Sequence, residues 1–397
     1  MEATNAAYIV SSIRTPVGKA NRGTLAHVRP EAMGADAVRG ALDRVDGLTK
    51  EDVDDVIMGC AFPEGPQGMV LGRTVAQKAG LPHHVPGATV NRFCSSGLQT
   101  IVMGAQAIAT GQADVVVAGG TESMSLVPMS GFYFQPEPDL VLEEGSQLYV
   151  SMGITAENVA EEYGVSREDQ DAFALRSHQR ALEAIESGRF ADEIVPLTVS
   201  VTRRVNGTTT TEQTTFDTDE GPRADTNLEA LSGLRPVFKK GGTVTAGNAS
   251  QTSDGAAASV VMSGHRVGEL GVDPLARIVG YAVAGVAPEV MGIGPVNAIQ
   301  KVLRQTDLSL DDIGLIELNE AFASQALAVI RELDLNEEIV NVNGGAIALG
   351  HPLGCTGAKL TATLLHEMNR RQVRYGICTM CIGGGMGAAA VFENLQI

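Results

Sequence analysis

Leu308-Ser309-Leu310-Asp311-Asp312-Ile313-Gly314-Leu315-Ile316 echoes a stretch far upstream, Leu48-Thr49-Lys50-Glu51-Asp52-Val53-Asp54-Asp55-Val56. Working outward, the likeness continues in register. Ala276-Arg277-Ile278-Val279-Gly280-Tyr281 resembles the opening strand Ala7-Tyr8-Ile9-Val10. Ile339-Val340-Asn341-Val342-Asn343 resembles Ala88-Thr89-Val90-Asn91, and a Gly-rich turn and a helix, Thr356 to Met368, come after it. Tyr375 to Cys381, followed by Gly383-Gly384-Gly385, matches Val115 to Gly120. Two copies of one βα pattern in the same order imply duplication. The expectation is an α/β fold of two similar halves, with parallel-rich sheets covered by helices. Ligands bind at the ends of parallel strands in open α/β sheets. The equivalent loops around Cys94 and His351 should therefore meet across a pseudo-twofold axis.

Between the copies the character changes. Residues 1–121 form the first half, with helices predicted over Glu31–Val45 and Arg73–Ala79 and strands over Val53–Gly59 and Val115–Gly120. Residues 122–242 read as an inserted loop domain. It begins rich in Met, Pro, Phe and acids, continues with helices over Thr155–Tyr163 and Arg167–Ser187, and closes with a Thr-rich ribbon turning at Asn206-Gly207. Residues from about 243 to 270 complete the first half, and residues 271–397 form the second.

The chain has 397 residues, 44% of them hydrophobic and 19% charged, which marks it as globular. A net charge of −18 argues against nucleic acid or an anionic membrane as the main partner. An anionic ligand would need a local basic patch. Five cysteines and no secretory pattern at Met1–Val10 suggest reduced thiols and a bacterial or cytoplasmic setting. No apolar run approaches the ~20 residues of a membrane span.

The chemistry-bearing residues sit on the loops. In Val90-Asn91-Arg92-Phe93-Cys94-Ser95-Ser96-Gly97-Leu98-Gln99, a helical pattern follows the cysteine: Leu98, Ile101, Val102, Ala105, Ile108 and Ala109. Cys94 is thus expected at a helix start, where the dipole and free N–H groups lower a thiol pKa. A lone cysteine is more often a small buried hydrophobe. His351 lies between glycines in Gly345-Ala346-Ile347-Ala348-Leu349-Gly350-His351-Pro352 and can accept a thiol proton. Cys378 and Cys381 form a Cys-x-x-Cys, but a second pair with zinc spacing is missing, so no metal site is expected. Cys381 then reads as a second thiol on a Gly-rich turn, whose N–H groups can hold an oxyanion. Asn319, in Asn319-Glu320-Ala321-Phe322, suits a helix cap and can equally hold a water or a carbonyl oxygen.

The motifs around Cys94, Asn319, His351 and Cys381 occur in this order over essentially the whole chain, and together they resemble the thiolases. The resemblance implies the layered α-β-α-β-α thiolase-like fold. It implies Cys94 as the acyl-carrying nucleophile, His351 as its activating base and Cys381 as the general acid/base. Asn319 would position a water that, with His351, stabilises an enolate oxygen. The N–H groups of Cys94 and Gly383 would form a second oxyanion hole. Coenzyme A would be a co-substrate, with no tightly bound cofactor. By the same resemblance Arg223 lies at its nucleotide end, Ser250 along the pantetheine, and Phe238 and Phe322 beside the channel.

Arg92-Phe93-Cys94-Ser95-Ser96-Gly97-Leu98-Gln99 is similar to the degradative 3-oxoacyl-CoA members rather than to the biosynthetic acetoacetyl-CoA members. Those biosynthetic members tend to carry a His where Ser151 precedes Met152-Gly153-Ile154-Thr155-Ala156-Glu157. Met152 is expected among the coenzyme A contacts. The short segment between Gly120 and Ser151 predicts a homodimer, with a β-oxidation multienzyme subunit as a further partner. The rival readings are a biosynthetic thiolase, a non-catalytic acyl-CoA-binding relative and a condensing enzyme that uses acyl carrier protein.

Overall fold

The repeated stretch begins with a polar turn in both copies for one physical reason. Asp52 Oδ2 accepts hydrogen bonds from the N–H and the hydroxyl of Thr49, both at 2.8 Å. Asp312 Oδ2 accepts from the N–H and hydroxyl of Ser309 at 2.9 and 2.8 Å. Each carboxylate closes a capping box around a single 3-10 turn. The chain leaves that turn as a buried strand.

The computed structural model describes residues 6–142, 147–205 and 208–397. Its strands are β1 (Ala7–Arg14), β2 (Gly18–Lys19), β3 (Asp55–Gly59), β4 (Ala88–Val90), β5 (Val115–Ser123), β6 (Leu197–Val205), β7 (Thr208–Phe216), β8 (Ser253–Ser263), β9 (Ala276–Gly285), β10 (Ile313–Leu318), β11 (Tyr375–Ile382) and β12 (Met386–Asn394). All but the β6–β7 ribbon join one sheet of order β10-β11-β12-β9-β1-β8-β5-β3-β4, with β2 on β8. The order reads symmetrically outward from the β1–β9 seam, where only Tyr8 pairs with Arg277 and Ile9 with Ala276.

The sheet corrects two expectations. Only β3 with β4, β3 with β5, and β10 with β11 run parallel; the remaining pairs are antiparallel, so the sheet is mixed rather than parallel-rich. The reason is that each half ends in a strand laid antiparallel between two others, β8 between β1 and β5, and β12 between β9 and β11. Residues Ile339–Asn343 also fail to form the strand that their likeness to Ala88–Asn91 suggested. Val340 makes an isolated bridge to Ile316, and Asn341 then turns at φ 48°. Its side-chain amide takes over the ladder, accepting from Leu318 N and donating to Leu318 O, both at 2.8 Å.

Helices Ser96–Ala109 and Leu353–Arg371 lie between the two halves of the sheet. Leu98, Ile101, Leu360 and Leu364 share one apolar cluster with Val116 and Ala118 of the first half and Leu315 and Met380 of the second. Helices Pro30–Leu42 and Leu71–Lys78 cover the outer face of the first half, and Gly294–Thr306 and Ala323–Glu332 that of the second. The layers therefore run α-β-α-β-α. The two central helices touch through glycine. A Cβ on Gly97 would lie 2.6 Å from Ala358 N, and one on Gly357 would lie 2.4 Å from Leu98 N. Among the described residues, no helix is long and apolar enough to cross a membrane.

The segment between β5 and β8 carries helices Met152–Glu162 and Arg167–Glu186 and the β6–β7 ribbon; the turn expected at Asn206-Gly207 lies outside the described residues. A fully buried arginine of β1 ties this segment to the sheet. The Arg14 guanidinium donates to both oxygens of Asp219, at 2.7 and 2.8 Å, and its Nε donates to Glu193. Replacing it removes the cation that both carboxylates bind directly and leaves only the more distant Lys359 and Arg44 charges beside them. Arg14→Met should lower the unfolding free energy by about 3–5 kcal/mol. Urea unfolding of the two proteins measures this, and a loss under about 1 kcal/mol would refute the clamp.

Candidate active site

The glycine contacts between the central helices draw two loops together. Cys94 sits in the 3-10 turn Phe93–Ser95 that leads into helix Ser96–Ala109. It packs against a small apolar cluster that includes Ala61, Met124 and Leu353, the last being the first residue of the helix that follows His351. The turn is locked locally: Phe93 adopts φ 43°, its N–H donates to Asn91 Oδ1 at 2.9 Å, and Ser96 Oγ accepts from Arg92 N at 2.8 Å.

His351 is buried, and both ring nitrogens are engaged. Nδ1 lies 2.6 Å from Thr356 Oγ1, and Nε2 lies 3.4 Å from Asn319 Nδ2. The Asn319 Oδ1 atom is buried and has no protein partner. The His351 N–H donates to Gln251 O at 3.1 Å and Ser253 Oγ at 3.2 Å, so β8 and its lead-in hold the loop. Burial first, and the Lys359 charge second, bring the imidazole pKa down from 6.5 to about 3. The ring is neutral at physiological pH.

The thiols differ from expectation. Loss of water around the sulfur raises the Cys94 pKa above the usual thiol value although the residue is partly exposed, against the pull of two N–H groups, those of Gly383 and of Cys94 itself. The helix start that was expected to lower this pKa is outweighed by loss of water. Cys381 is wholly buried and lies well above the usual thiol range, through burial and then the proximity of Cys94. Its side chain joins an apolar cluster with Ala156, Met291, Phe322 and Met152. Cys378, three residues earlier on β11, joins the central-helix cluster on the opposite face, as strand alternation requires. The two thiols of the Cys-x-x-Cys therefore cannot share a ligand. Among the described residues, no group of three or more His, Cys, Asp or Glu side chains converges as a metal site.

The structure brings Cys94, Cys381, Gly383 and Met152 together, with Asn319 on His351; a Cβ on Gly383 would stand 3.4 Å from Met152 Sδ. Phe322 and Phe238 meet edge-on at 6.1 Å, with Phe322 buried and Phe238 exposed. Ser250 lies beside them, its N–H donating to Ala321 O at 3.0 Å. Arg223 stands apart from the thiols. Its guanidinium is exposed and pairs with the exposed Asp225, while its N–H donates to His178 Nδ1 at 3.2 Å.

Three contributors escaped the sequence reading. Thr356 orients the imidazole, yet it looks like any hydroxyl in a first helical turn. Gln251 Nε2 donates to Gly221 O, Ile347 O and Ala348 O at 3.0–3.1 Å, joining the Arg223 segment to the His351 loop. Glu122 is the last residue but one of the buried strand β5, and an acid there was the available signal.

Family models described as "Thiolase, N-terminal domain" and "Thiolase, C-terminal domain" match residues 7–265 and 272–394. A 3-ketoacyl-CoA thiolase of Bacillus subtilis (strain 168) is 57% identical over 388 residues, 98% of this chain and 99% of that protein. Among solved structures, the Bacillus anthracis acetyl-CoA acetyltransferase matches with a TM-score of 0.89 and 45% identity, over 100% of both chains. Human mitochondrial 3-ketoacyl-CoA thiolase in complex with CoA matches with a TM-score of 0.87 and 42% identity, over 99% of this chain and 98% of that one.

The buried imidazole has a consequence for acid stability. An unfolded histidine gains a proton below about pH 6.5, whereas folded His351 resists it until about 3. The folded state thus binds fewer protons in that window, and His351 makes stability fall as pH drops through it. His351→Gln should show a shallower loss of stability between about pH 6.5 and 4. Urea midpoints across that range test this; parallel curves for the two proteins would refute it.

Proposed function

The chain belongs to the thiolase family of acyltransferases, and on that footing we propose that it is a degradative 3-ketoacyl-CoA thiolase, an acetyl-CoA C-acyltransferase. The observation that carries this reading is a pair of thiols in unequal surroundings. Cys94 is partly exposed and receives two N–H groups, whereas Cys381 is enclosed and close enough to feel the Cys94 charge.

In this reading His351 takes the Cys94 proton as the sulfur attacks the 3-keto carbon of a 3-oxoacyl-CoA. The N–H groups of Cys94 and Gly383 meet the resulting oxyanion. The C2–C3 bond breaks, the acyl group stays on Cys94, and its electron pair becomes the enolate of acetyl-CoA. His351 and a water held by Asn319 stabilise the enolate oxygen. Cys381 protonates the carbon, and acetyl-CoA leaves. Free CoA gives its thiol proton to Cys381 and attacks the acyl thioester; shortened acyl-CoA departs and Cys94 recovers its proton from His351.

Arg223 serves the nucleotide end of CoA, and its exposed guanidinium supports that placement. Ser250, Phe238, Phe322 and Met152 line the pantetheine path. A homodimer is proposed from the short segment between Gly120 and Ser151, with a β-oxidation multienzyme subunit as partner and the cytoplasm as setting. The likeness to an acetyl-CoA acetyltransferase favours a second reading, in which acetoacetyl-CoA is the only substrate.

Thiolysis rates with C4 to C16 3-oxoacyl-CoAs separate the two. Activity should extend well beyond C4, and confinement to C4 would replace the first reading by the second. A Cys381→Ala variant should still accept an acyl group on Cys94 from acyl-CoA, detected by mass, while losing turnover about 100-fold or more. Near-normal turnover would remove Cys381 from its role.

A further inference from the structure

Glu122 is buried at the end of β5, and its carboxylate is fully occupied. Oε2 accepts from Ala61 N at 2.7 Å and Gly354 N at 2.8 Å. Oε1 accepts from Gln67 Nε2 at 2.8 Å, Phe62 N at 3.3 Å and the Cys60 thiol at 3.6 Å. Burial raises the pKa of this carboxyl above the usual carboxylate value, while the four N–H donors on its oxygens favour the charged form. Ala61 belongs to the first half of the fold and Gly354 to the second. Cys94 packs against the small apolar cluster that contains Ala61 and Leu353, the neighbour of Gly354. The Glu122 carboxylate thus binds the backbone of one member of that cluster and of the residue next to another.

We propose that Glu122 is a positioning residue that holds Cys94 as the uncharged thiol until substrate arrives, while keeping the Cys94 and His351 loops in register. It acts on the sulfur through its field and through the backbone it binds. A nearby anion disfavours a second anion, so a resting thiolate–imidazolium pair does not form. The other titratable groups around Cys94 support the same state: Cys381 on β11 is itself a neutral thiol, and His351 is neutral. The N–H groups of Cys94 and Gly383 pull the other way, and they gain full effect once negative charge develops on a bound carbonyl oxygen. The resting protein is thereby protected from stray electrophiles and oxidants, which attack thiolates.

This inference rests on Cys94 being the acyl carrier, and the test keeps the two claims apart. Iodoacetamide labelling of the full-length protein is followed by mass over a range of pH, in wild type and Glu122→Gln. Labelling of Cys94 ahead of the other four cysteines is expected in both; preferential labelling elsewhere would remove the acyl-carrier reading. The midpoint of the Cys94 labelling profile should fall by about one pH unit in Glu122→Gln, making labelling about tenfold faster below both midpoints. Turnover of the variant should fall, because one of the two oxygens that hold the Ala61–Gly354 and Phe62–Gln67 donors becomes an NH2 group that cannot accept. An unchanged or raised midpoint would overturn the role of Glu122 alone. Should the variant fail to fold, thiolate absorbance of wild type minus Cys94→Ala reports the same ionisation. A midpoint above the ordinary ~8.5 is expected, and one at or below it would overturn the proposal.

Discussion

The site depends on how closely two helices can approach. Helices Ser96–Ala109 and Leu353–Arg371 meet where Gly97 faces Ala358 and Gly357 faces Leu98, at distances that leave no room for a Cβ on either glycine. The contact is reciprocal, as a pseudo-twofold axis between the halves demands. It sets backbone against backbone at the N-terminal ends of both helices, where Cys94 and His351 sit. Gly120 and Gly59 repeat the requirement in the sheet below: a Cβ there would stand 2.2 Å from Gly354 O and 2.6 Å from the Ser96 carbonyl carbon. Removing side chains from one small region is what lets residues far apart in sequence act on one another. The β1–β9 seam, with two paired positions, contributes little to this alignment.

Duplication also explains how unlike chemistries came to share one cleft. One copy supplies the thiol of Cys94 and the other the imidazole of His351. The end of β11 supplies Cys381 and the Gly383 N–H, while the equivalent end of β5 supplies Glu122. The insertion is held to the sheet by the Arg14 cluster, through Glu193 and Asp219.

Much of this was legible in the residues. The repeat declared itself because strand, polar turn and glycine recur in the same order, and those features are local. Val115–Gly120 lies within the strand Val115–Ser123, and helix Arg167–Glu186 ends within a residue of its expected limit. The thiol ionisation was not legible, because it is set by water excluded from the site by parts of the chain far away in sequence. The mixed sheet was hidden for a similar reason. Nothing in Ser253–Ser263 says that it will insert antiparallel between β1 and β5. The failure of Ile339–Asn343 as a strand turns on one residue, Asn341, whose amide can imitate a backbone group.

The position of β8 has a consequence for the order in which the molecule is made. β5 ends at Ser123 and β8 does not begin until Ser253, although β8 must lie between β1 and β5. At a synthesis rate of 5–20 residues per second, β1 and β5 wait on the order of ten seconds as unpaired edges beside each other. Exposed edges of that kind recruit strands from other chains. In the second half the equivalent strand β12 begins at Met386, just after β11 ends at Ile382, so β11 gains its antiparallel neighbour almost at once.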